Sequence, residues 1–215
     1  MLKKTDKRKV SKSTISRLFV YLREVSKLAN LNIRTISSAE LAERVNLGAA
    51  QIRKDLGYFG HFGVSGSGYD IKELERALKR ILEKNKNCRV AIVGCGNLGT
   101  ALISYGGFQK QGVEIAAAFD TDPKKIGKKY GGIPVQPLDK MPGAIKAKKI
   151  TIGIITVPAQ NAREAVDCLV DSGIKCILNF APVGLMVPED VTVKDVDLSR
   201  EIETLSYFVD NNVVG

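Results

Sequence analysis

Apolar residues near the start of the chain recur at the three- and four-residue spacing of an amphipathic helix. The spacing predicts a first helix from Ser13 onward. Its apolar face is formed by Ile15, Leu18, Phe19, Leu22, Val25 and Leu28. Three basic residues, Arg17, Arg23 and Lys27, fall on the other face. The first dozen residues are rich in Lys and Arg and poor in apolar residues, which predicts a loose arm.

Two short helices joined by a tight turn come next. Ser37-Ser-Ala-Glu40 has the pattern of a capping box, in which the Ser hydroxyl and the Glu carboxylate each satisfy a free backbone N–H. The helix ends at Asn46-Leu-Gly48, and another begins at once at Ala49. This arrangement is typical of a helix-turn-helix, whose second helix enters the major groove of DNA. That helix carries Gln51, Arg53 and Lys54.

Glycines alternate with small and aromatic residues from Gly60 to Tyr69, which predicts a tight β-hairpin like the wing of a winged helix. The lone histidine, His61, belongs to this hairpin, and we expect no chemical role for it. A further helix, from about Ile71 to Asn85, is mixed in charge and is expected to link two parts of the chain.

Short buried strands alternate with helical segments after residue 87, as in a doubly wound parallel sheet of the Rossmann kind. The predicted strands are Cys88–Val93, Val113–Phe119, Ile150–Val157 and Lys175–Asn179. A helix from Asn97 to about Gln109 is predicted to follow the first strand.

Gly94, Gly96 and Gly99 form a G-x-G-x-x-G motif between the first strand and this helix. Such glycines allow a tight turn and a close approach of the backbone to a pyrophosphate. Asp120 ends the second strand, where an acidic residue binds ribose hydroxyls and repels a 2′-phosphate, which favours NAD(H) over NADP(H). Lys124 and Lys125 follow and weaken that preference. A doubly wound fold without a ligand is the alternative.

Two predicted strands end in proline-containing segments, Thr156-Val-Pro158 and Asn179-Phe-Ala-Pro182. Both lie at the carboxyl edge of the sheet, where such folds bind ligands. Either the prolines only terminate the strands, or together they shape an apolar wall for a flat ring.

Asp197 can cap a last helix, which has an apolar stripe and two adjacent aromatic residues. These are Leu198, Ile202, Leu205, Val209, Tyr207 and Phe208. The stripe can pack on the chain's own core or on a second subunit. Because helix-turn-helix proteins usually read two half-sites as dimers, we expect the second arrangement.

The charge is divided unequally along the 215 residues, whose net charge is +10. Residues 1–86 hold 19 Lys and Arg against 9 Asp and Glu, and residues 87–215 hold 14 of each. The first part is therefore suited to a polyanion such as DNA. We predict a DNA-binding domain over residues 1–86, a nucleotide-binding domain over 87–196, and a C-terminal helix over 197–215.

The four cysteines form no C-x-x-C pair, so we expect reduced thiols and no metal site. No apolar run is long enough to span a bilayer, and the start lacks a secretory apolar stretch. A cytoplasmic protein with no membrane partner is expected.

Several stretches together resemble the Rex family of bacterial redox-sensing transcriptional repressors, over nearly the whole chain. They are Ser13–Leu18, Ile52–Gly60, Gly66–Tyr69, Gly94–Ala101, Ala118–Asp120, Leu178–Pro182 and Asp195–Leu198. The resemblance implies a homodimer of winged-helix and Rossmann domains with an exchanged C-terminal helix. It also implies that NADH releases palindromic operator DNA, whereas the apo and NAD⁺-bound forms bind it.

The same resemblance implies that Tyr105 and Asp197 report the nucleotide state to Arg17, and that Ser38 and Tyr58 contact DNA. The full predicted nucleotide site is Gly94, Cys95, Gly96, Asn97, Leu98, Gly99, Tyr105, Asp120, Lys125, Thr156, Val157, Pro158, Asn179, Phe180, Ala181 and Pro182. The full predicted DNA site is Lys12, Ser38, Arg44, Gln51, Arg53, Lys54 and Tyr58. Two departures from the family are a wing without Lys or Arg and Leu198 in place of an aromatic residue.

Two other functions are compatible with parts of the sequence. A NAD-dependent oxidoreductase needs a proton donor or base beside the nicotinamide, but the only histidine lies in the hairpin and no Tyr-x-x-x-Lys is present. A thiol sensor could use Cys95, because a thiolate is favoured near a helix N-terminus. We expect instead that Cys95 is a small residue tolerated in the glycine loop and that the chain is not an enzyme.

Overall fold

The computed structural model describes residues 10–63, 68–82 and 88–210. The chain divides into two compact units, Met1–Asn85 and Lys86–Gly215, called here the N-terminal and C-terminal units. Most of the predicted basic arm and the tip of the predicted hairpin, residues 64–67, lie outside the described residues.

The N-terminal unit is built from helices around one apolar core. The helices are α1 (Lys12–Asn30), α2 (Ser38–Arg44), α3 (Ala49–Gly57) and α4 (Ile71–Leu82). Ile71, Leu74 and Leu78 are buried in the same core as residues of α1, α2 and α3. The helix expected to serve as a linker is therefore an integral part of this unit's core.

The buried face of α1 is rotated from the predicted one. Phe19 is 47% exposed, whereas Tyr21 is completely buried. The Tyr21 hydroxyl donates a hydrogen bond to Asp55 on α3 (2.8 Å), so this polar group is satisfied inside the core. A pattern based on apolar residues alone cannot identify a buried face that includes a bonded hydroxyl.

A short antiparallel pair includes the last residue of the predicted hairpin, whose tip lies outside the described residues. Strand β1 (Thr35–Ile36) pairs with β2 (Tyr69–Asp70). Residues 60–63 form no strand. Gly63 nevertheless lies against Gly68, because a Cβ atom on Gly63 would overlap the carbonyl oxygen of Gly68.

The C-terminal unit contains the expected parallel sheet. Its strands are β3 (Cys88–Val93), β4 (Val113–Phe119), β5 (Lys129–Tyr130), β6 (Ile133–Gln136), β7 (Ile152–Ile155), β8 (Cys176–Asn179) and β9 (Thr192–Asp195). The strand order is β5-β6-β4-β3-β7-β8-β9, and only β5 runs antiparallel to its neighbour. The sequence did not predict β5, β6 or β9, which are short and lie towards the two edges of the sheet.

Helices flank this sheet, and buried strand residues alternate between its two faces. Those beside the sheet are α5 (Asn97–Ile103), α6 (Gly107–Lys110), α7 (Met141–Lys148) and α8 (Ala162–Asp171), and the last helix of the unit is α9 (Leu198–Asp210), whose described side chains are exposed. Ala91 and Val93 belong to the core on one face, and Val90 and Ile92 to the core on the other. In the described residues, no helix is long and apolar enough to cross a membrane.

The single helix predicted from Asn97 to about Gln109 is divided into α5 and α6. The ring of Tyr105 folds back over Gly107, where a Cβ atom would overlap it. Tyr105 also makes an edge-to-face contact with Phe108, with ring centroids 5.2 Å apart. The glycine therefore allows the chain to turn with an aromatic ring against the backbone.

Candidate nucleotide and DNA interfaces

A cavity of about 420 Å³ lies at the carboxyl ends of β3, β4 and β7. Along the sheet, β4 is the neighbour of β3 in one direction and β7 is its neighbour in the other, so the order of the strands reverses at β3. This reversal is the position where open α/β sheets bind ligands. The lining includes Gly94, Gly96, Asp120, Lys125, Thr156, Val157 and Pro158 from the predicted site. It also includes Leu138, Asn161 and Glu164, which the sequence analysis did not identify.

The three glycines of the motif differ in what they make possible. Gly94 has φ +99°, and a Cβ atom there would lie 2.9 Å from the Thr156 backbone. A Cβ atom on Gly99 would overlap the carbonyl oxygen of Gly94. A Cβ atom on Gly96 meets no protein atom within 4 Å, although Gly96 lines the cavity. Packing of the described residues thus explains Gly94 and Gly99, whereas Gly96 leaves space on the cavity side.

Asp120 is a buried carboxylate at the cavity wall. Its Oδ2 accepts hydrogen bonds from the Cys95 backbone N–H (2.7 Å) and Lys125 Nζ (3.0 Å), and its Oδ1 accepts one from the Asp122 N–H (2.8 Å). Burial acts to raise the pKa of Asp120, but these bonds outweigh it and hold the pKa below its usual range. Because Oδ1 receives one bond from the described residues, it can accept another.

Cys95 is buried beside this carboxylate and is not activated as a thiolate. Its thiol lies 3.6 Å from the carbonyl oxygen of Phe119. Burial, and then the negative charge of Asp120, raise the pKa of Cys95 to about 11. The direction is opposite to the one that a reactive sensor thiol requires.

The last residue of β8 and the three residues after it do not line the cavity; they are Asn179, Phe180, Ala181 and Pro182. Asn179 is 1% exposed. Its amide nitrogen donates to the carbonyl oxygens of Ala181 and Val183 and to Asp195, and its Oδ1 accepts from the Ala181 N–H. The side chain therefore stabilises its own turn, and the two proline segments do not form a common wall of this cavity. A nucleotide contact by these residues stays a prediction.

Each residue assigned to signalling has surroundings or contacts that are described within its own unit. Tyr105 is 60% exposed, between α5 and α6. Asp197 Oδ1 accepts hydrogen bonds from the backbone N–H groups of Ser199 and Arg200, and so caps α9 as predicted. Arg17 donates two hydrogen bonds to Asp55, from Nε at 2.6 Å and from Nη2 at 2.8 Å.

The two helices of the predicted helix-turn-helix are present as α2 and α3. The capping box is complete: Ser37 Oγ accepts from the Glu40 N–H, and Glu40 accepts from the Ser37 N–H. Arg53 Nη1 donates to Ser38 Oγ (2.8 Å), which connects the two helices on the exposed side. Lys54 and Tyr58 are also exposed.

Three other predicted DNA contacts differ in their surroundings. Lys12 is exposed at the start of α1. Arg44 Nη1 lies 3.3 Å from Glu24 in an exposed ion pair. Gln51 donates its side-chain amide to the buried Asp55 (2.8 Å), so this amide is already bound within the protein. The DNA contact predicted for Gln51 takes no account of this bond, and it stays a prediction.

Comparison with known proteins relates both units to one family. A family model for a CoA binding domain matches residues 85–183, and one for the N-terminus of a putative DNA-binding protein matches residues 9–57. The redox-sensing transcriptional repressor Rex of Desulfitobacterium hafniense is 45% identical over 94% of this chain and 96% of its own length. The chain belongs to the Rex family. Rex of Pelotomaculum thermopropionicum is 46% identical over 93% of each chain.

Solved Rex-family structures have the same fold. RSP in complex with β-NAD⁺ and operator DNA has a TM-score of 0.87 and 39% identity, with 95% of this chain and 94% of that chain covered. RSP in complex with β-NADH has a TM-score of 0.84 and 37% identity, with 96% and 97% covered. These matches span both units and confirm the predicted family and fold class.

Proposed function

We propose that this protein is a transcriptional repressor that binds operator DNA through its N-terminal unit and NAD(H) through its C-terminal unit, and that NADH releases the DNA. The observation that carries this proposal is the cavity at the sheet's reversal point, lined by Gly94, Gly96 and Asp120, in a chain whose relatives are Rex repressors. The excess of basic residues before residue 87 provides the charge for DNA.

The nucleotide is proposed to lie with its pyrophosphate beside the glycine turn and its adenosine ribose towards Asp120. Gly96 leaves room for the pyrophosphate, and the free acceptor position of Asp120 Oδ1 can bind a ribose hydroxyl. Asp120 and Asp122 bring two negative charges to the cavity wall against the one positive charge of Lys125, and this balance disfavours a 2′-phosphate. NAD(H) is therefore preferred to NADP(H).

Discrimination between the two redox forms is proposed to rest on the charge of the nicotinamide ring. The ring is positively charged in NAD⁺ and neutral in NADH. Transfer of an unpaired charge to an apolar surface is unfavourable, so an apolar subsite accepts the reduced ring more readily. Val157 and Pro158 are apolar residues of the cavity that can provide such a surface.

The dimer is proposed to use α9, exchanged between two copies of the chain. Four residues of its apolar stripe, Leu198, Ile202, Leu205 and Val209, are 58–68% exposed. Covering such a surface is favourable by about 25 cal/mol for each Å² removed from water. We expect Ile202→Glu to shift the protein from dimer to monomer in sedimentation equilibrium, with Glu203→Gln on the same helix as a control.

The proposal is tested by fluorescence anisotropy of a palindromic operator, selected by the wild-type protein from a randomised duplex library. NADH and NAD⁺ are titrated separately. NADH is expected to lower operator affinity by on the order of 5- to 150-fold, and operator DNA must then lower NADH affinity by the same factor. Equal effects of the two nucleotides, or none, would contradict redox sensing.

The proposed relay and the proposed base contact are tested in the same assay. Tyr105→Phe should leave NADH binding nearly intact and reduce its effect on operator binding. Arg53→Ala should weaken operator binding more than binding to a shuffled duplex, since an Arg–guanine contact contributes about 1–3 kcal/mol of discrimination. We place the protein in the cytoplasm, where operator DNA and the nucleotide pool are both present.

A further inference from the structure

Asp55 is completely buried, although it lies in α3 between Lys54 and Leu56 in the helix proposed to enter the major groove. Ile52 and Leu56, three and one positions away, are also buried, so Asp55 lies on the apolar face of α3. A carboxylate inside a core is unfavourable unless donors surround it.

Donors from two helices surround this carboxylate. From α1, Arg17 donates two hydrogen bonds, Tyr21 donates one at 2.8 Å, and Thr14 donates one at 3.3 Å. From α3 itself, Gln51 donates one at 2.8 Å. Burial acts to raise the pKa of Asp55, but the bonds from Arg17, Tyr21 and Gln51 outweigh it and hold the pKa low. The group is therefore ionised at neutral pH.

The bonds to Arg17 fix direction as well as distance. Arg17 Nε contacts Asp55 Oδ2 and Nη2 contacts Asp55 Oδ1, which is a bidentate pairing of two planar groups. Such a pairing defines orientation better than a single bond does. Rotation of α3 about its axis would break several of these bonds at once, whereas apolar contacts between Leu and Ile side chains are not directional.

We propose that Asp55 is the positioning residue that fixes α3 on α1 in the orientation needed for reading the operator, and that Arg17 and Gln51 act on DNA through Asp55. This inference rests on the proposed DNA-binding function. Asp55 has no exposed surface, so its effect on DNA must pass through the placement of α3.

The distinguishing test uses two DNA affinities that a positioning role moves differently. Asp55→Asn keeps the shape of the side chain and removes a negative charge from a DNA-binding unit. The charge change alone favours any DNA, because attraction to phosphates does not depend on sequence. If the orientation of α3 is no longer fixed, its contacts to base edges weaken, whereas the attraction of the basic residues to phosphates remains.

We therefore expect Asp55→Asn to bind a shuffled duplex as well as the wild-type protein does, or better. The ratio of operator affinity to shuffled-duplex affinity should fall by about ten- to a hundredfold, which is the size of one good base contact. The loss should be spread over the base pairs of the half-site. Glu73→Gln, an exposed residue of α4 with the same change of charge, should keep the wild-type ratio.

Tyr21→Phe provides a milder second variant in case Asp55→Asn does not fold. Tyr21 is buried and cannot touch DNA, so a lower ratio in this variant also has to pass through Asp55. Arg17→Gln completes the set, and combined with Asp55→Asn it should lower the ratio little further, because both changes break the same contact.

An unchanged ratio in folded Asp55→Asn, or in folded Tyr21→Phe where Asp55→Asn does not fold, would overturn the inference. So would a parallel loss of both affinities, which indicates only a general loss of structure. If the wild-type protein binds no selected duplex better than the shuffled one, the proposed function itself fails, and that result is recognised before any variant is made.

Discussion

Each of the two units contains a buried carboxylate bound by a basic side chain, and the two differ in what else can reach them. Asp55 in the N-terminal unit is 0% exposed and is bound by Arg17. Asp120 in the C-terminal unit is 6% exposed, lies in a cavity wall and is bound by Lys125. Arg17 can form the planar bidentate pair, whereas Lys125 supplies a single flexible charge. The first carboxylate is therefore suited to holding two helices, and the second to binding a ligand.

The largest difference should appear when each carboxylate is removed. Asp55→Ala should lower the free energy of unfolding of the N-terminal unit by about 3–5 kcal/mol, because buried donors lose their acceptor. Asp120→Ala should cost the C-terminal unit about 1–3 kcal/mol, since Lys125 is partly exposed and can turn to water. Hydrogen exchange of α1 and β3 amides in the full chain reports the two units separately. Equal losses would contradict the comparison.

NADH affinity should depend on Asp120 and not on Asp55, which is the reverse of the order expected for the free energy of unfolding. Asp120→Ala should weaken NADH by about ten- to a hundredfold, the value of a hydrogen bond to a charged group. Asp55→Ala should leave NADH affinity unchanged at a temperature where the variant is folded. Isothermal calorimetry provides both numbers, and Glu189→Ala, an exposed acid outside the cavity, is the charge control. Unchanged NADH affinity in Asp120→Ala would remove this residue from the nucleotide site.

The position of Asp120 could be predicted from sequence, because its signals are local. A glycine motif directly after one buried strand and an acid directly after the next define the edge of the sheet without any knowledge of packing. The cavity lining contributed by Asn161 and Glu164 could not be found in this way. These residues come from the segment after β7 and from the start of α8, and no motif marks them.

Asp55 was missed for a different reason. Its partners Thr14 and Tyr21 precede it by 41 and 34 residues, so only the folded chain brings them together. A signal nevertheless exists, since Ile52, Asp55 and Leu56 share one face of α3 at the helical spacing. An acid within an apolar helical stripe indicates a buried, bonded carboxylate. Gln51, one turn before Asp55, was predicted to contact DNA, whereas its amide binds Asp55.

Asn179 shows why a polar residue at the end of a parallel strand does not by itself identify a ligand contact. Polar residues after parallel strands often contact ligands, but the Asn179 side chain bonds its own turn and Asp195 on β9. Because β9 was not predicted, this partner could not be anticipated. Short polar strands at a sheet edge lack the apolar alternation on which such predictions depend.

Acid should weaken the contribution of Asp55 in a defined direction. Its pKa in the folded protein is below the usual value, so its stabilising effect is complete above the unfolded pKa of about 3.9 and is lost as the pH falls through the folded pKa. The difference in unfolding free energy between wild type and Asp55→Asn should therefore narrow below about pH 4. Urea unfolding across that range measures it, and a constant difference would contradict the ionised pair.

The smallest effect concerns Cys95, whose backbone N–H binds Asp120 and whose thiol lies in the same buried corner. Since its pKa is raised to about 11, a thiol reagent at about pH 8 meets roughly one thiolate in a thousand, and burial slows access further. Cys176 is exposed and should react much faster. Asp120→Asn should increase Cys95 labelling only slightly, because burial is the larger cause of the raised pKa.

The labelling of Cys95 is measured by mass spectrometry of alkylated peptides from Cys176→Ser and Cys176→Ser/Asp120→Asn proteins. Rapid labelling of Cys95 in the Cys176→Ser protein would contradict the buried thiol and reopen the thiol-sensor alternative.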